Sequence, residues 1–179
     1  MTAIRHTLLL CLLAAWPVYV HAQARYAGEG PGTYIAVGAT ASAFESDYGK
    51  RLLEGGTIFL DLNLYRRVGV EAEVRDLRLH SDDDVRESTY LMGPKISTHG
   101  RSLRPYAKLL AGEGRFNFPF NYAHGSYFVI APGAGLDWRV GGSRFMIRII
   151  DFEYQMWPMF TYGALHPYGF TSGVSFRVF

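Results

Sequence analysis

The chain has 179 residues and a formal net charge of +2 at pH 7, so its charge gives no reason to expect a nucleic-acid partner. Hydrophobic residues make up 49% of it and aromatic residues 15%, together with 20 glycines and one cysteine. A single cysteine excludes an internal disulfide framework and a zinc site built from several thiolates.

The N-terminal residues 1–22 have the pattern of a cleaved secretory signal. Arg5 and His6 form a basic start, Thr7–Trp16 is apolar, and Val20-His21-Ala22 resembles a cleavage site. The apolar stretch is too short for a membrane-spanning helix, which needs about 20 residues. We therefore expect cleavage near Ala22, a short N-terminal segment at 23–32 and one domain at 33–179.

The rest of the chain alternates apolar and polar residues in eight segments separated by turn-forming residues, which predicts strands and no helix. A tilted strand that crosses a membrane needs about 9–11 residues, and each segment is long enough. The predicted strands are Thr33–Ser42, Thr57–Tyr65, Val68–His80, Glu87–Ser97, Leu103–Gly112, Gly125–Arg139, Phe145–Tyr154 and Tyr168–Phe179.

The connections between these strands alternate between long and short. Those at Ala43–Gly56, Glu113–His124 and Gln155–Pro167 are long, whereas Arg66-Arg67 and Val140–Arg144 are short. Up-and-down membrane barrels have tight periplasmic turns and longer outer loops. The pattern predicts an all-β fold, an eight-stranded antiparallel up-and-down transmembrane β-barrel with both termini on the periplasmic side.

Three irregularities are expected within the strands. The apolar alternation changes phase after Arg75-Asp76, which places Leu77 on the outer face and predicts a bulge. A second bulge is predicted at Ile149-Ile150 for the same reason. A third is predicted beside Gly133, because Pro132 lacks the N–H that a closed sheet requires.

The polar faces of the strands carry as many acids as bases. An eight-stranded barrel is just wide enough for side chains to fill it, so charges inside must pair. The predicted lumenal acids are Asp61, Glu71, Glu73, Asp76, Asp137, Asp151 and Glu153, and the bases are Arg75, Arg78, Lys95, Lys108, Arg139, Arg148 and Arg177.

Aromatic residues lie near the predicted strand ends, where membrane barrels carry interfacial girdles, although aromatics favour strands in any sheet. The set is Tyr34, Tyr65, Tyr90, Tyr106, Tyr127, Phe128, Trp138, Phe145, Tyr154, Trp157 and Tyr168. A further group, Phe116, Phe118, Phe120 and Tyr122, alternates within the predicted long loop. These four residues are expected either to contact an external partner or to extend the hairpin and pack on their neighbours.

The last strand carries a more specific pattern. Thr171, Gly173, Phe176 and Val178, followed by Phe179, match the terminal signal of outer-membrane barrels. The chain thereby resembles the eight-stranded outer-membrane β-barrel family, which includes the transmembrane part of outer-membrane protein A and opacity-type proteins. The resemblance implies that the barrel-assembly machinery reads this strand. Phe179 is out of phase with the other outward residues.

The resemblance implies a monomeric, non-enzymatic, structural or surface-interaction protein of the Gram-negative outer membrane. Its partners would be outer-membrane lipid, lipopolysaccharide and a surface partner bound through the loops, with no cofactor, metal or catalytic residue. Although porin-like in architecture, so narrow a barrel is filled by side chains, which argues against porin-type transport.

Two alternatives remain open. One is a lipid-A-modifying enzyme on the same fold, for which the pairs His124–Ser126 and Ser97–His99 supply candidate side chains without an acid in phase. The other is a secreted lipocalin-like binder with eight strands and an apolar interior. That class has a Gly-x-Trp motif near the first strand, which this chain lacks there.

Overall fold

The computed structural model describes residues 33–47, 49, 51–65, 67–79, 85–98, 102–117, 124–141, 143–161 and 163–178. The predicted signal, the segment 23–32, Phe118, Phe120, Tyr122 and Phe179 lie outside these ranges. The described chain forms eight strands: β1 (Tyr34–Ser46), β2 (Arg51–Tyr65), β3 (Val68–Arg78), β4 (Arg86–Ser97), β5 (Leu103–Asn117), β6 (His124–Arg139), β7 (Phe145–Tyr154) and β8 (Tyr168–Arg177).

Each strand pairs antiparallel with the next, and β8 pairs with β1 to close the barrel. The predicted fold class is therefore confirmed. We call the end at which β1 begins and β8 ends the terminal end, and the opposite end the loop end. No helix among the described residues is long and apolar enough to cross a membrane.

Three strands extend further toward the loop end than the sequence pattern predicts. The predicted connection Ala43–Gly56 is mostly strand, because β1 continues to Ser46 and β2 begins at Arg51. β5 likewise continues to Asn117. Beyond the apolar region the outward side chains become charged, as at Glu54 and Glu113, so the apolar alternation ends before the strand pairing does.

The bulge predicted at Ile149-Ile150 is present, since Arg148 pairs with Gly173 while Asp151 pairs with Thr171. The bulge predicted at Arg75-Asp76 is wrong, because β3 pairs with β2 without interruption through this region. Leu77 consequently faces the interior and is fully buried. Its apolar side chain fits there because the interior itself becomes apolar toward the loop end.

The bulge predicted beside Gly133 is also wrong. Pro132 pairs with Leu109 in an unbroken register on one side. On the other side, Gly133 pairs with Glu153 and Ile130 with Met156, which is the same register. The proline's missing N–H interrupts the ladder between these two pairs without shifting the strand.

Apolar side chains cover the outside of the barrel between its two ends. They stay exposed although they belong to regular strands: Ile58 is 66% exposed and Met92 63%. We call this surface the apolar belt, and its exposed members include Val37, Ile58, Leu60, Leu64, Val68, Val74, Met92, Ile96, Leu103, Leu109, Phe152, Phe170, Val174 and Phe176. Such a belt suits contact with hydrocarbon and would be poorly hydrated in water.

Leu60→Arg tests the belt in a bilayer. Leu60 faces outward beside Val37 and Ala72. If the belt lies in hydrocarbon, the substitution lowers the free energy of unfolding by about 2–4 kcal/mol, the cost of arginine near the bilayer midplane. Urea unfolding in lipid vesicles measures it. Met159→Arg, at an exposed loop-end position, serves as the control. Equal destabilisation by both variants would contradict a hydrocarbon location for Leu60.

Candidate functional site: the barrel interior

The inward faces of the strands carry most of the charges singled out by the sequence. Ten of them are at most 8% exposed: Asp61, Glu71, Glu73, Arg75, Lys95, Lys108, Asp137, Arg148, Asp151 and Glu153. Arg139 and Arg177 are half-buried. Asp76 and Arg78 instead point outward, where they pair with each other at 3.2 Å, so their predicted lumenal position is wrong. With β3 unbroken, these two residues keep the outward phase of Val74.

Lys108 lies at the centre of this buried charge network. Its Nζ is 3.1 Å from carboxylate oxygens of Glu71, Glu73 and Glu153, and 2.7 Å from Asp151. Its side chain is completely buried. Because these acids lie on β3 and β7, Lys108 on β5 connects strands that are not neighbours in the sheet.

Three further cations extend the network toward the two ends. Arg148 donates to Glu71 at 2.7 Å and to Asp137 at 3.3 Å. Lys95 donates to Asp61 and Glu71 at 2.8 Å each. The remaining cation lies toward the loop end, where Arg75 donates to Glu153 and Glu73, both at 2.7 Å. The ten buried charges therefore form one connected set.

Interior aromatic rings lie directly over glycines of the adjacent strand. Phe59 is paired with Gly38, and a Cβ atom at Gly38 would overlap its ring. Tyr106 covers Gly135, its partner on β6, in the same way. The uncovered glycine backbone makes room for a flat ring inside a narrow barrel.

The same rings carry the network's cations. The Arg148 guanidinium lies 3.7 Å from the Phe59 ring centre, and Lys95 Nζ lies 4.1 Å from that of Tyr106. Such contacts stabilise desolvated cations by about 2 kcal/mol. Glycines, rings and ion pairs therefore form one packed layer.

Toward the loop end the interior is apolar. Trp157, in the connection after β7, is fully buried and its ring lies against Gly114. It packs with a cluster formed by Phe44, Leu53, Leu77, Val85, Leu91, Leu110, Phe116, Val129, Ala131, Phe160 and Leu165. Trp157 also donates to Gln155 at 2.9 Å, and Gln155 donates to Glu153 at 3.0 Å. This chain of hydrogen bonds joins the apolar cluster to the charge network.

Of the four loop aromatics Phe116, Phe118, Phe120 and Tyr122, the structure describes Phe116. It is 1% exposed and makes an edge-on ring contact with Phe160 at 5.3 Å. It therefore extends the hairpin and packs inside the barrel. Three members of the predicted aromatic girdle, Tyr34, Tyr106 and Trp157, are buried inside the barrel, so their predicted place in the girdle is wrong. Others are exposed on the outside: Phe128, Trp138, Phe145, Tyr154 and Tyr168.

Two interior residues were missed by the sequence interpretation. Glu87, on β4, is 1% exposed, and neither carboxylate oxygen has a hydrogen-bond partner among the described residues. Arg104, on β5, is 4% exposed. Both could have been found from the two-residue period of a strand. Arg104 shares its face with Tyr106 and Lys108, and Glu87 shares its face with Thr89 and Leu91.

Comparison with solved structures identifies this architecture. Neisserial surface protein A has a TM-score of 0.66 at 10% identity, covering 82% of this chain and 97% of its own. OprG, an outer-membrane protein of Pseudomonas aeruginosa, gives 0.59 at 11% identity, covering 84% and 97%. This chain has the fold of the eight-stranded outer-membrane barrels. The resemblance predicted from the last strand is confirmed at the level of fold.

A third similar structure is that of Ail, the attachment invasion locus protein of Yersinia pestis, in complex with the heparin analogue sucrose octasulfate. Its TM-score is 0.53 at 20% identity, covering 83% of this chain and 99% of Ail. No family model matches the chain, and no curated protein matches its sequence.

The terminal strand has the inside-outside arrangement of such barrels. Phe176 and Val178 are exposed on the outer face, whereas Thr171 and Gly173 face inward. Phe179 and His99, and the side chain of His124, lie outside the described residues. The His124–Ser126 and Ser97–His99 pairs consequently have no described geometry.

Lys108→Met tests whether the central cation holds the network together. Its loss leaves four buried carboxylates without a shared partner, so we expect about 3–5 kcal/mol less free energy of unfolding. Urea unfolding in detergent micelles measures the change. The matched control is Arg115→Met, which breaks an exposed ion pair with Glu113 and should change the midpoint little. Similar losses in both variants would contradict a central role for Lys108.

Proposed function

We propose that this chain is a monomeric integral barrel of a Gram-negative outer membrane that acts as a structural or surface-interaction protein. The terminal end would face the periplasm and the loop end the cell exterior. The observation that carries the proposal is the reversed polarity of the barrel, with paired charges inside and the apolar belt outside. A barrel with this polarity is suited to lipid.

The filled interior favours a role that does not depend on transport. Buried ion pairs occupy its middle and the Trp157 cluster its loop end. A lipocalin-like binder would instead need an apolar interior around a ligand. The role that remains is one in which the outer surface of the barrel makes the contacts. We further propose that the chain has no catalytic activity.

The loop-end rim is the part that would meet other molecules. Exposed or half-buried charges of both signs surround it above the apolar belt: Glu45, Glu54, Asp76, Arg78, Arg86, Glu113 and Arg115. Under this proposal they contact lipopolysaccharide and a surface partner. Thr171, Gly173, Phe176, Val178 and Phe179 would serve earlier, as the signal for the barrel-assembly machinery.

Cysteine labelling tests location and orientation together. In a Cys11→Ser background the chain has no other thiol, so single cysteines report one position each. Met159 is 78% exposed near the loop end, and Ser143 is exposed in a terminal-end turn. With a membrane-impermeant maleimide on intact cells, Met159→Cys should be labelled. Ser143→Cys should react only after the outer membrane is permeabilised.

If only Ser143→Cys were labelled in intact cells, the barrel would have the opposite orientation to the one proposed. If neither variant were labelled in permeabilised membranes, the exposure of both positions would be contradicted. The lipid A of the same cells provides the check on catalysis. Its mass spectrum should not change when the protein is expressed. A new acylation state would overturn the non-enzymatic proposal.

A further inference from the structure

Three arginines converge inside the terminal end of the barrel. Arg104 is the second residue of β5, and Arg139 and Arg177 are the last residues of β6 and β8. Arg139 lies beside the start of β5, because its backbone N–H donates to the Ser102 carbonyl at 2.8 Å, and the charges of the three residues act on one another. The buried Tyr34 ring joins the group, with Arg177 4.2 Å and Arg104 5.8 Å from its centre. We call these three residues the terminal arginine cluster.

Each of the three has a buried nitrogen without a hydrogen-bond acceptor. These atoms are Nε of Arg104 and an Nη2 atom on each of Arg139 and Arg177. Within the part of the chain that the structure describes, the one side-chain hydrogen bond of Arg104 is a weak contact with the Met146 sulfur at 3.9 Å. Among the described residues, no carboxylate forms an ion pair with any of the three. An unpaired buried charge is expensive, so native structures normally supply a partner.

The nearest carboxylates are already engaged elsewhere. Asp137 is the cross-strand partner of Arg104, yet its oxygens lie 3.3 Å from Arg148 and 3.6 Å from Lys95. Asp61 likewise binds Lys95 at 2.8 Å. The central network therefore leaves no acceptor for the cluster.

The buried arginines of the central network, in contrast, have carboxylate partners. Arg75 donates to two oxygens of Glu153, and Arg148 to both oxygens of Glu71. Among the described residues, the terminal arginine cluster thus differs from these two arginines by having three charged donors and no paired anion. A guanidinium is a planar fork that matches phosphate and carboxylate oxygens, and phosphate can accept from several at once.

We propose that Arg104, Arg139 and Arg177 form a binding site for a phosphate-class oxyanion at the terminal end of the barrel. The site rests on the geometry of the interior and does not depend on the proposed surface role. The anion would accept from the unpartnered nitrogens and offset the mutual repulsion of the three charges. Its source would be either free phosphate or the headgroup of a phospholipid.

Titration with inorganic phosphate tests the site. The full-length protein, purified in a maltoside detergent without phosphate, is titrated calorimetrically at constant ionic strength against chloride. We expect saturable binding that Arg104→Gln and Arg177→Gln each weaken by about tenfold or more, since each removes a charge-assisted hydrogen bond. Arg67→Gln is the matched control, because Arg67 lies exposed in the turn between β2 and β3 at the same end. It should bind like the unaltered protein.

Folding of each variant is checked by far-ultraviolet circular dichroism. The glutamine variants remove charges without partners, so they should remain folded in phosphate-free buffer. If one does not fold, the other two cluster positions carry the test. Absence of saturable binding by the unaltered protein, or equal binding by the cluster variants and Arg67→Gln, would overturn the proposal.

A second titration distinguishes the two sources of phosphate. Short-chain phosphatidylglycerol is added to the same micelles in place of inorganic phosphate. Tighter binding than that of the free ion, lost in Arg177→Gln, assigns the site to a lipid headgroup. Weaker binding assigns it to a free anion. Either result supports the site, provided that the cluster variants reduce it.

Discussion

The contacts of Lys108 with four carboxylates are the interaction on which the rest of the barrel depends. Taking an ion out of water costs several kcal/mol, and only close, multiple pairing offsets that cost. The acids lie on β3 and β7 and the lysine on β5, so the pairs form only when the barrel is closed. Closure and charge pairing therefore stabilise one another.

A polar interior also determines how the outside must behave. Alternation along a strand sends every second side chain outward, so charges inside leave the apolar residues on the exterior. Because the interior aromatic rings lie flat over glycines, the middle of the barrel leaves room for ion pairs that connect opposite strands. Trp157 and its neighbours then close the loop end. The resulting polarity suits a lipid environment, while the terminal end retains charge that the network does not neutralise.

The sequence was sufficient for the strand number, the closed fold and the inward face of the network. Period-2 alternation carries that information directly, and the bulge at Ile149 was visible as a break in it. The inside-outside placement predicted for Leu77 and Asp76 was wrong, because it took leucine to face outward. The interior of this barrel changes from polar to apolar along its length, so Leu77 faces inward. The partners of Lys108 could not be predicted, since they depend on how far each strand is shifted relative to those across the barrel.

The central claim is that a closed, lipid-suited barrel forms around this network, and gel mobility tests it most directly. The protein is extracted from membranes and run in sodium dodecyl sulfate with and without boiling. A folded membrane barrel resists the detergent, so the unboiled sample should migrate differently and shift to the unfolded position on boiling. Identical mobility in both samples, together with solubility in the absence of detergent, would contradict the account.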